Sequence, residues 1–314
     1  MLNYLVRRTL GLLPTLLLVA VMSFVIMHMA PGDPVARMLG VRATESRIQK
    51  VRADMGLDRP LASQFVSWLA GAVRGDFGLS YVLDRSVAGA IFSRLPVTII
   101  LALIGLIIAV ALGIPIGVLA AVRRGSLLDQ VLSVIAIIGV SVPSFWLALV
   151  LIFVFAIHLG ILPSGRYVHF TVDTVQAIRH LVLPGLAMGV TSAALIARMS
   201  RSCMLDVLRQ DYIRTARSKG MNERRVVYRH ALRNALIPVV TVAGITFGEL
   251  LGGAVVLEEV FTLPGVGRLL IGAVNNRDYP VIQGVILAVA LTYLLVNLAT
   301  DIFYVYLDPR IKYG

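Results

Sequence analysis

Few residues of this chain are of the types that carry out chemistry, and their spacing excludes several kinds of site. Its 314 residues include one cysteine, Cys203, so an internal disulfide and a multi-cysteine metal site are both impossible. None of the lysines, Lys50, Lys219 and Lys312, follows a glycine, whereas a nucleotide-binding P-loop needs a Gly-Lys pair. No His-Glu-x-x-His sequence occurs. The sequence therefore predicts a chain that is not an enzyme and binds no metal or other cofactor.

One acidic residue, Glu249, lies near the middle of a long apolar stretch. An ionisable group at membrane depth usually lines a path for a substrate or ion. The alternative is a protonated or hydrogen-bonded side chain that packs against a partner subunit. Because proton relays use chains of Asp, Glu or His, a single acid argues against a proton-coupled carrier, which remains the less favoured alternative.

The composition is that of a polytopic membrane protein. Hydrophobic residues make up 58% of the chain, charged residues make up 15%, and the mean hydropathy is +0.86. Soluble domains are closer to 45–50% apolar and about 25% charged. The net charge of +12 is explained by membrane topology and contact with anionic lipid. No soluble domain is large enough to bind nucleic acid, so we expect none to be bound.

Six stretches are long, apolar and nearly free of charge, which predicts an all-α protein with six membrane spans. They lie at 9–30, 95–121, 131–159, 181–197, 236–257 and 280–305. The first follows Arg7 and Arg8 but is too long for the apolar part of a signal peptide, so we interpret it as an uncleaved helix.

Basic residues orient these spans. The loop at 198–235 contains ten Arg and Lys residues, whereas the loops at 160–180 and 258–279 contain two each. Basic loops stay in the cytoplasm, but loops of more than about 60 residues, such as 31–94, are exempt. We therefore predict cytoplasmic termini, a cytoplasmic loop at 198–235 and an extracytoplasmic loop at 31–94.

These elements predict three regions along the chain. Residues 1–30 form the N-terminus and first span, residues 31–94 form an extracytoplasmic cap, and residues 95–314 form a five-helix core. Asp33, in the PGDP sequence, is expected to tighten the turn that leaves the membrane. His28 is interpreted as a packing residue rather than a metal ligand.

The basic loop has a pattern that topology alone does not explain. Residues 211–219 predict a short helix, Gly220 predicts its C-terminal stop, and Asn222 predicts the N-cap of a second helix. We expect Val227, Ala231 and Asn234 to share one face of that second helix. Pro238 is expected to mark the point at which the chain enters the membrane again.

This loop resembles the EAA motif of ABC-importer permeases, in which an acid and an alanine precede a glycine and an apolar-proline ending. Asp211, Ala216, Gly220 and Ile237–Pro238 occupy these positions, with aspartate in place of the usual glutamate. More narrowly, DYIRTARSKG resembles the peptide and nickel importer branch. Further motifs of that branch cover nearly the whole chain: YLVRR, PGDP, GLDRPL, GDFGLS, SVPSFWLALVLI, LGILPSGRY, LEEVFTLPGVGRLL, RDYPVIQG and DPRIKYG.

The resemblance implies a type I importer permease in the cytoplasmic or inner membrane of a bacterium or archaeon. A second, different permease would complete a heterodimer. Two cytoplasmic ATPases would use ATP and Mg²⁺, and an extracytoplasmic solute-binding protein would deliver the substrate. Dipeptides, longer peptides and glutathione are the expected substrates, with nickel or an oligosaccharide as the alternative.

The resemblance also implies roles for individual residues. Glu249 is a candidate for the translocation path, where it could contact the amino group of a peptide. Glu258 and Glu259 are candidates for contact with the binding protein or the partner permease, and the alternative is a solvated helix end. The expected ATPase-coupling patch comprises Asp211, Tyr212, Arg214, Thr215, Ala216, Lys219, Gly220, Asn222 and Arg224.

Overall fold

The computed structural model describes residues 2–29, 35 and 44–307, and its side chains are described for 8–29, 35 and 44–302. The PGDP sequence with Asp33 and the C-terminal DPRIKYG sequence lie outside the described residues, so the prediction for Asp33 remains a prediction.

Helices form most of the described chain. The elements, in chain order, are α1 (Leu2–Met29), α2 (Glu45–Asp54), α3 (Leu61–Val73), β1 (Leu79–Ser80), β2 (Arg85–Ser86), α4 (Val87–Phe92), α5 (Leu95–Val122), α6 (Leu127–Ser141), α7 (Ser144–Leu151), π1 (Ile152–His158), α8 (Thr174–Leu208), α9 (Asp211–Ser218), α10 (Glu223–Arg225), π2 (Val226–Ala231), α11 (Leu232–Val260), α12 (Val266–Asn275) and α13 (Tyr279–Leu307). The two short strands pair antiparallel, with Leu79 opposite Ser86.

Five helical stretches among the described residues are long and apolar enough to cross a membrane. They are 8–29, 87–122, 174–208, 223–260 and 279–302. The prediction of a mostly helical chain is confirmed, and the count of long apolar stretches becomes six if the bent pair of helices described next forms one span.

The predicted third span, 131–159, is not one straight helix. Residues 127–141 and 144–158 form two helical segments that meet at an angle of 99°. Val142 has an extended backbone (φ −83°, ψ 121°), and Pro143 is the N-cap of α7. Proline disfavours a helical conformation in the residue before it, so the Val-Pro pair ends one helix and begins the next.

The predicted loop at 198–235 is largely helical. Helix α8 runs to Leu208, so Arg198 and Arg201 belong to the fourth span. The fifth helical stretch already begins at Glu223, and Pro238 lies inside α11 without ending it. The helix after Asn222 is therefore continuous with the fifth helical stretch, and the prediction that the chain enters the membrane at Pro238 remains a prediction. Burial of Val226, Val227 and Ala231 against the core favours a continuous helix over a break.

The contacts divide the chain into two compact units. One contains residues 1–98 and 264–295, and the other contains residues 99–263 and 296–314. These units are defined by contacts in the folded chain, whereas the predicted boundary at residue 94 separates an extracytoplasmic cap from the membrane core. That boundary therefore remains a prediction.

Glycines let helices α5 and α8 approach closely within the second unit. A Cβ atom added to Gly113 would lie 2.8 Å from the carbonyl oxygen of Ala193, and one added to Gly117 would lie 2.6 Å from the Cβ atom of Ser200. Both distances are shorter than a van der Waals contact, so neither position has room for a side chain. Small residues at such positions permit the dense packing that holds membrane helices together.

We predict that Gly117→Ala destabilises the chain, because the added methyl group forces α5 away from α8. Overpacking of this kind costs about 1–3 kcal/mol in the free energy of unfolding. Gly252→Ala is the matched control, since a Cβ atom there has nothing within 4 Å. In a helix interior this control change should be neutral or stabilising by up to about 1 kcal/mol.

Thermal unfolding of the purified chain in detergent compares the two variants. A lower melting temperature for Gly117→Ala alone supports the close packing, whereas equal melting temperatures contradict it.

Candidate functional site

Helix α9 is amphipathic, and its two buried residues fix it to the second unit. Ile213 is 0% exposed and Ala216 is 9% exposed. Both belong to a core cluster that also contains Met204, Val227 and Ala231. The side chains at 213 and 216 are three residues apart and therefore lie on the same face of the helix. The exposed residues of α9 and the turn after it are Asp211, Tyr212, Arg214, Thr215, Arg217, Ser218, Lys219, Gly220, Asn222, Glu223 and Arg224.

Ala216, a residue of the expected coupling patch, faces the core cluster rather than the exposed side of α9. The alanine side chain packs inside its own chain, where a small residue lets α9 lie close to the core cluster. Any partner of this helix must therefore contact the opposite, polar face.

The turn after α9 has the predicted form. Gly220 has a φ of +75°, the left-handed conformation that ends many helices and that favours glycine. Its N–H donates to the carbonyl oxygen of Arg217 at 2.9 Å. The side chain of Asn222 accepts a hydrogen bond from the Arg224 N–H at 2.9 Å, which confirms Asn222 as the N-cap of the next helix.

Polar contacts join the two sides of this turn. Arg217 donates two hydrogen bonds to the Glu223 carboxylate, at 3.1 and 2.5 Å. Asn234 donates to the Tyr212 hydroxyl at 2.8 Å. An exposed ion pair contributes at most about 1 kcal/mol, so burial of Ile213 is the larger stabilising term.

The prediction that Val227, Ala231 and Asn234 share one face of the second helix was partly wrong. Val227 and Ala231 are buried, but Asn234 is exposed and Ala235 is buried in its place. The reason is the π-helical segment π2, whose wider turn shifts the residues that follow it around the helix axis.

An ion pair joins α6 to α8, and it was not predicted from the sequence. Arg201 donates to both carboxylate oxygens of Asp129, at 2.7 and 2.9 Å. Asp129 also accepts the Gly125 N–H at 3.0 Å, and its own N–H donates to the Ser126 hydroxyl. A Ser-x-x-Asp sequence before an apolar run is a capping signal that could have indicated Asp129.

The acidic residues of α11 lie in different surroundings. Glu249 is exposed on the surface of this chain, in the C-terminal half of a helical stretch of 38 residues. Glu258 is 0% exposed, which contradicts its expected contact with another subunit, and Glu259 is exposed. The last turn of α11 directs Glu258 inward because its neighbours Leu257 and Phe261 are both core residues.

Comparison with known proteins agrees with the fold. The family described as binding-protein-dependent transport system inner membrane component matches residues 113–313, and the N-terminal family of such membrane components matches residues 1–102. The glutathione transport system permease protein GsiC of Escherichia coli (strain K12) is 46% identical over 313 residues, which cover 100% of both chains. The protein of the same name from Shigella dysenteriae serotype 1 (strain Sd197) gives the same values.

Solved structures share the fold at lower identity. A chain from inward-facing structures of the MetNI methionine ABC transporter is 21% identical, with a TM-score of 0.58. The similarity covers 69% of the present chain and 95% of that one. A second crystal form of the same transporter gives a TM-score of 0.54 at 23% identity.

Fold and comparisons together define a multi-pass membrane protein of the permease class. The chain belongs to the family of binding-protein-dependent transport system inner membrane components. It is the permease component of an ABC importer in the bacterial inner membrane, and such an importer also requires a partner permease, ATPases and a binding protein.

Proposed function

We propose that this chain is one of two different permeases in an importer of short peptides or glutathione, driven by two cytoplasmic ATPases. The observation that carries the proposal is the polar face of α9, which is presented outward by a helix whose other face is buried in the permease. The chain itself binds no cofactor, and the ATPases use ATP and Mg²⁺.

The proposed topology treats the bent pair, residues 127–158, as one broken span. Together with the five long helices it gives six spans and places both termini on the same side. Helix α9 follows α8, and Arg209, Arg214 and Arg217 lie in and just before it. The rule that basic segments stay inside places α9 in the cytoplasm.

We propose that α9 couples the ATPases to the membrane helices. Asp211, Tyr212, Arg214, Thr215 and Lys219 offer carboxylate, hydroxyl and cationic groups to an ATPase groove. Asn222 and Arg224 extend this surface beyond the turn, while Ala216 and Gly220 set its shape. Because α9 is packed against the core cluster, movement of the ATPases biases the permease between two conformations.

Glu249 is proposed to line the translocation path. A carboxylate at the centre of a span costs about 2.5–3.5 kcal/mol when it faces lipid. Its exposure on this chain therefore favours a position facing water or the partner permease. There the carboxylate would attract the amino group of a peptide. Glu259 remains a candidate contact with the binding protein.

The proposed substrate follows from the Escherichia coli relative, whose name assigns it to glutathione transport. Glutathione is itself a small peptide, and an identity of 46% over the full length favours a substrate of the same chemical class. Nickel or an oligosaccharide is the alternative within the wider family. ATP-dependent uptake that survives collapse of the proton gradient would separate an importer from a proton-coupled carrier.

We predict that Gly220→Glu weakens binding of the ATPases without preventing the permease from folding. A left-handed conformation costs a residue with a side chain about 1–2 kcal/mol, which favours rearrangement of the turn. A Cβ atom at this position has nothing within 4 Å, so the new side chain projects away from the permease. Co-purification of the ATPases with tagged permease measures the loss.

Gly220→Asn is the matched control, because asparagine tolerates the left-handed conformation. It should retain the ATPases as the unaltered chain does. Normal co-purification and uptake with Gly220→Glu would contradict the assignment of this turn to ATPase docking.

We predict that Glu249→Gln lowers peptide uptake roughly tenfold, since loss of one charge-assisted contact is worth about 1.5–3 kcal/mol. Assembly with the ATPases should not change, because the Glu249 side chain is not part of the permease core. Uptake at the unaltered rate by a fully assembled complex would show that Glu249 has only a packing role.

A further inference from the structure

A cavity of about 420 Å³ lies within the first unit, among α1, α3, the loop after α2, the β1 segment and the start of α13. Cavities of 300–1,000 Å³ are typical of sites for small molecules. The cavity is separate from α9 and from Glu249, which both belong to the second unit.

Hydrogen bonds fix one wall of this cavity. The His28 ring lies 3.1 Å from the Gln64 side-chain oxygen and 2.8 Å from the Phe24 carbonyl oxygen. The Gln64 amide nitrogen donates to the carbonyl oxygens of Leu57 and Arg59. These hydrogen bonds join α1 and α3 to the loop after α2, so the positions of the side chains in this wall are fixed.

Aromatic rings make much of the lining. Phe24 and Trp68 face the cavity from α1 and α3, with ring centroids 6.4 Å apart. Phe77, Tyr81 and Tyr279 contribute from the β1 segment and the start of α13. Such walls suit an apolar group and also attract a cation to the ring faces.

Two lining residues have polar groups without a hydrogen-bond partner among the described residues. Gln283 is only 6% exposed, and its amide makes no hydrogen bond there. The indole N–H of Trp68 is also buried and unpaired. An unpaired buried polar group costs about 1–3 kcal/mol. That cost applies to the Trp68 N–H, whereas the Gln283 amide lines the cavity and is available to a ligand that offers both a donor and an acceptor.

The charges around the cavity favour a cationic ligand. Asp54 and Asp76 contribute two carboxylates, and Arg59 contributes one guanidinium group. The pKa of the Tyr81 phenol is raised, first by burial and second by the negative charge of Asp54. The field of Asp54 therefore reaches the cavity wall.

We propose that this cavity binds the amino-terminal end of a free short peptide, as a site on the permease in addition to the translocation path. The ammonium group is drawn to Asp54 and the aromatic rings. The first peptide amide offers the donor and acceptor that Gln283 lacks, and the first side chain packs against the aromatic wall. The choice of a free peptide as ligand rests on the proposed function.

Tryptophan fluorescence can test the site directly, because the chain has only two tryptophans and Trp146 lies in α7, outside the cavity. In full-length Trp146→Phe protein in detergent micelles, all indole emission comes from Trp68. Titration with the dipeptide alanyl-leucine should change that emission in a saturable manner. The N-acetylated dipeptide, which lacks the ammonium group, should bind about tenfold more weakly.

Two variants in the Trp146→Phe background locate the site, and each has a matched control. Asp54→Asn and Gln283→Leu should each weaken binding about tenfold. Asp58→Asn and Gln130→Leu change exposed residues outside the cavity and should leave binding unaltered. Asp54 is exposed, so its variant decides the question even if Gln283→Leu fails to fold. No saturable signal, or equal binding by Asp54→Asn and Asp58→Asn, overturns the proposal.

Peptide uptake by the assembled complex separates this proposal from the proposed function. If peptide binds near Trp68 but is not imported, the substrate assignment fails and the site stands. If peptide is imported but gives no Trp68 signal, the importer assignment stands and the site fails.

Discussion

The proposed coupling depends on one interaction, the burial of Ile213 and Ala216 in the core beneath α9. Burial of an isoleucine side chain contributes about 1.5–3 kcal/mol, more than the exposed Arg217–Glu223 pair can supply. This packing joins a polar helix to membrane-spanning segments through Met204 of α8 and Val227 of π2. A force applied to the exposed face of α9 therefore acts on the span before it and the span after it.

Other contacts in the second unit also pack these spans against one another. Gly113 and Gly117 bring α5 against α8, and the Asp129–Arg201 pair fixes α8 to α6. The long helix that begins at Glu223 continues without a break past Glu249. Helix α9 and the proposed path residue thus belong to one packed unit, and coupling between distant sites requires such contiguous packing.

Hydropathy, charge and capping signals predicted the features that depend on local chemistry. The apolar stretches, the stop at Gly220 and the cap at Asn222 are of this kind. Features set by packing were not predictable in the same way. Ala216 is buried by residues distant in sequence, and π2 rotates the face on which Asn234 lies. The 99° bend at Val142–Pro143 was not predicted, because its angle depends on the helices around it.

Site-directed crosslinking tests the central claim, that the exposed face of α9 contacts the ATPases. Replacing Cys203, the only cysteine, with serine allows a single new thiol to be placed at will. Thr215→Cys places it on α9, and Thr174→Cys places it on an exposed residue at the other end of α8, roughly 50 Å away along a helix of 35 residues.

In the purified complex, a short thiol-to-amine crosslinker should join Thr215→Cys to an ATPase, with a yield that changes when ATP is added. Thr174→Cys should give no such product. Crosslinking from Thr174→Cys but not from Thr215→Cys would contradict the account.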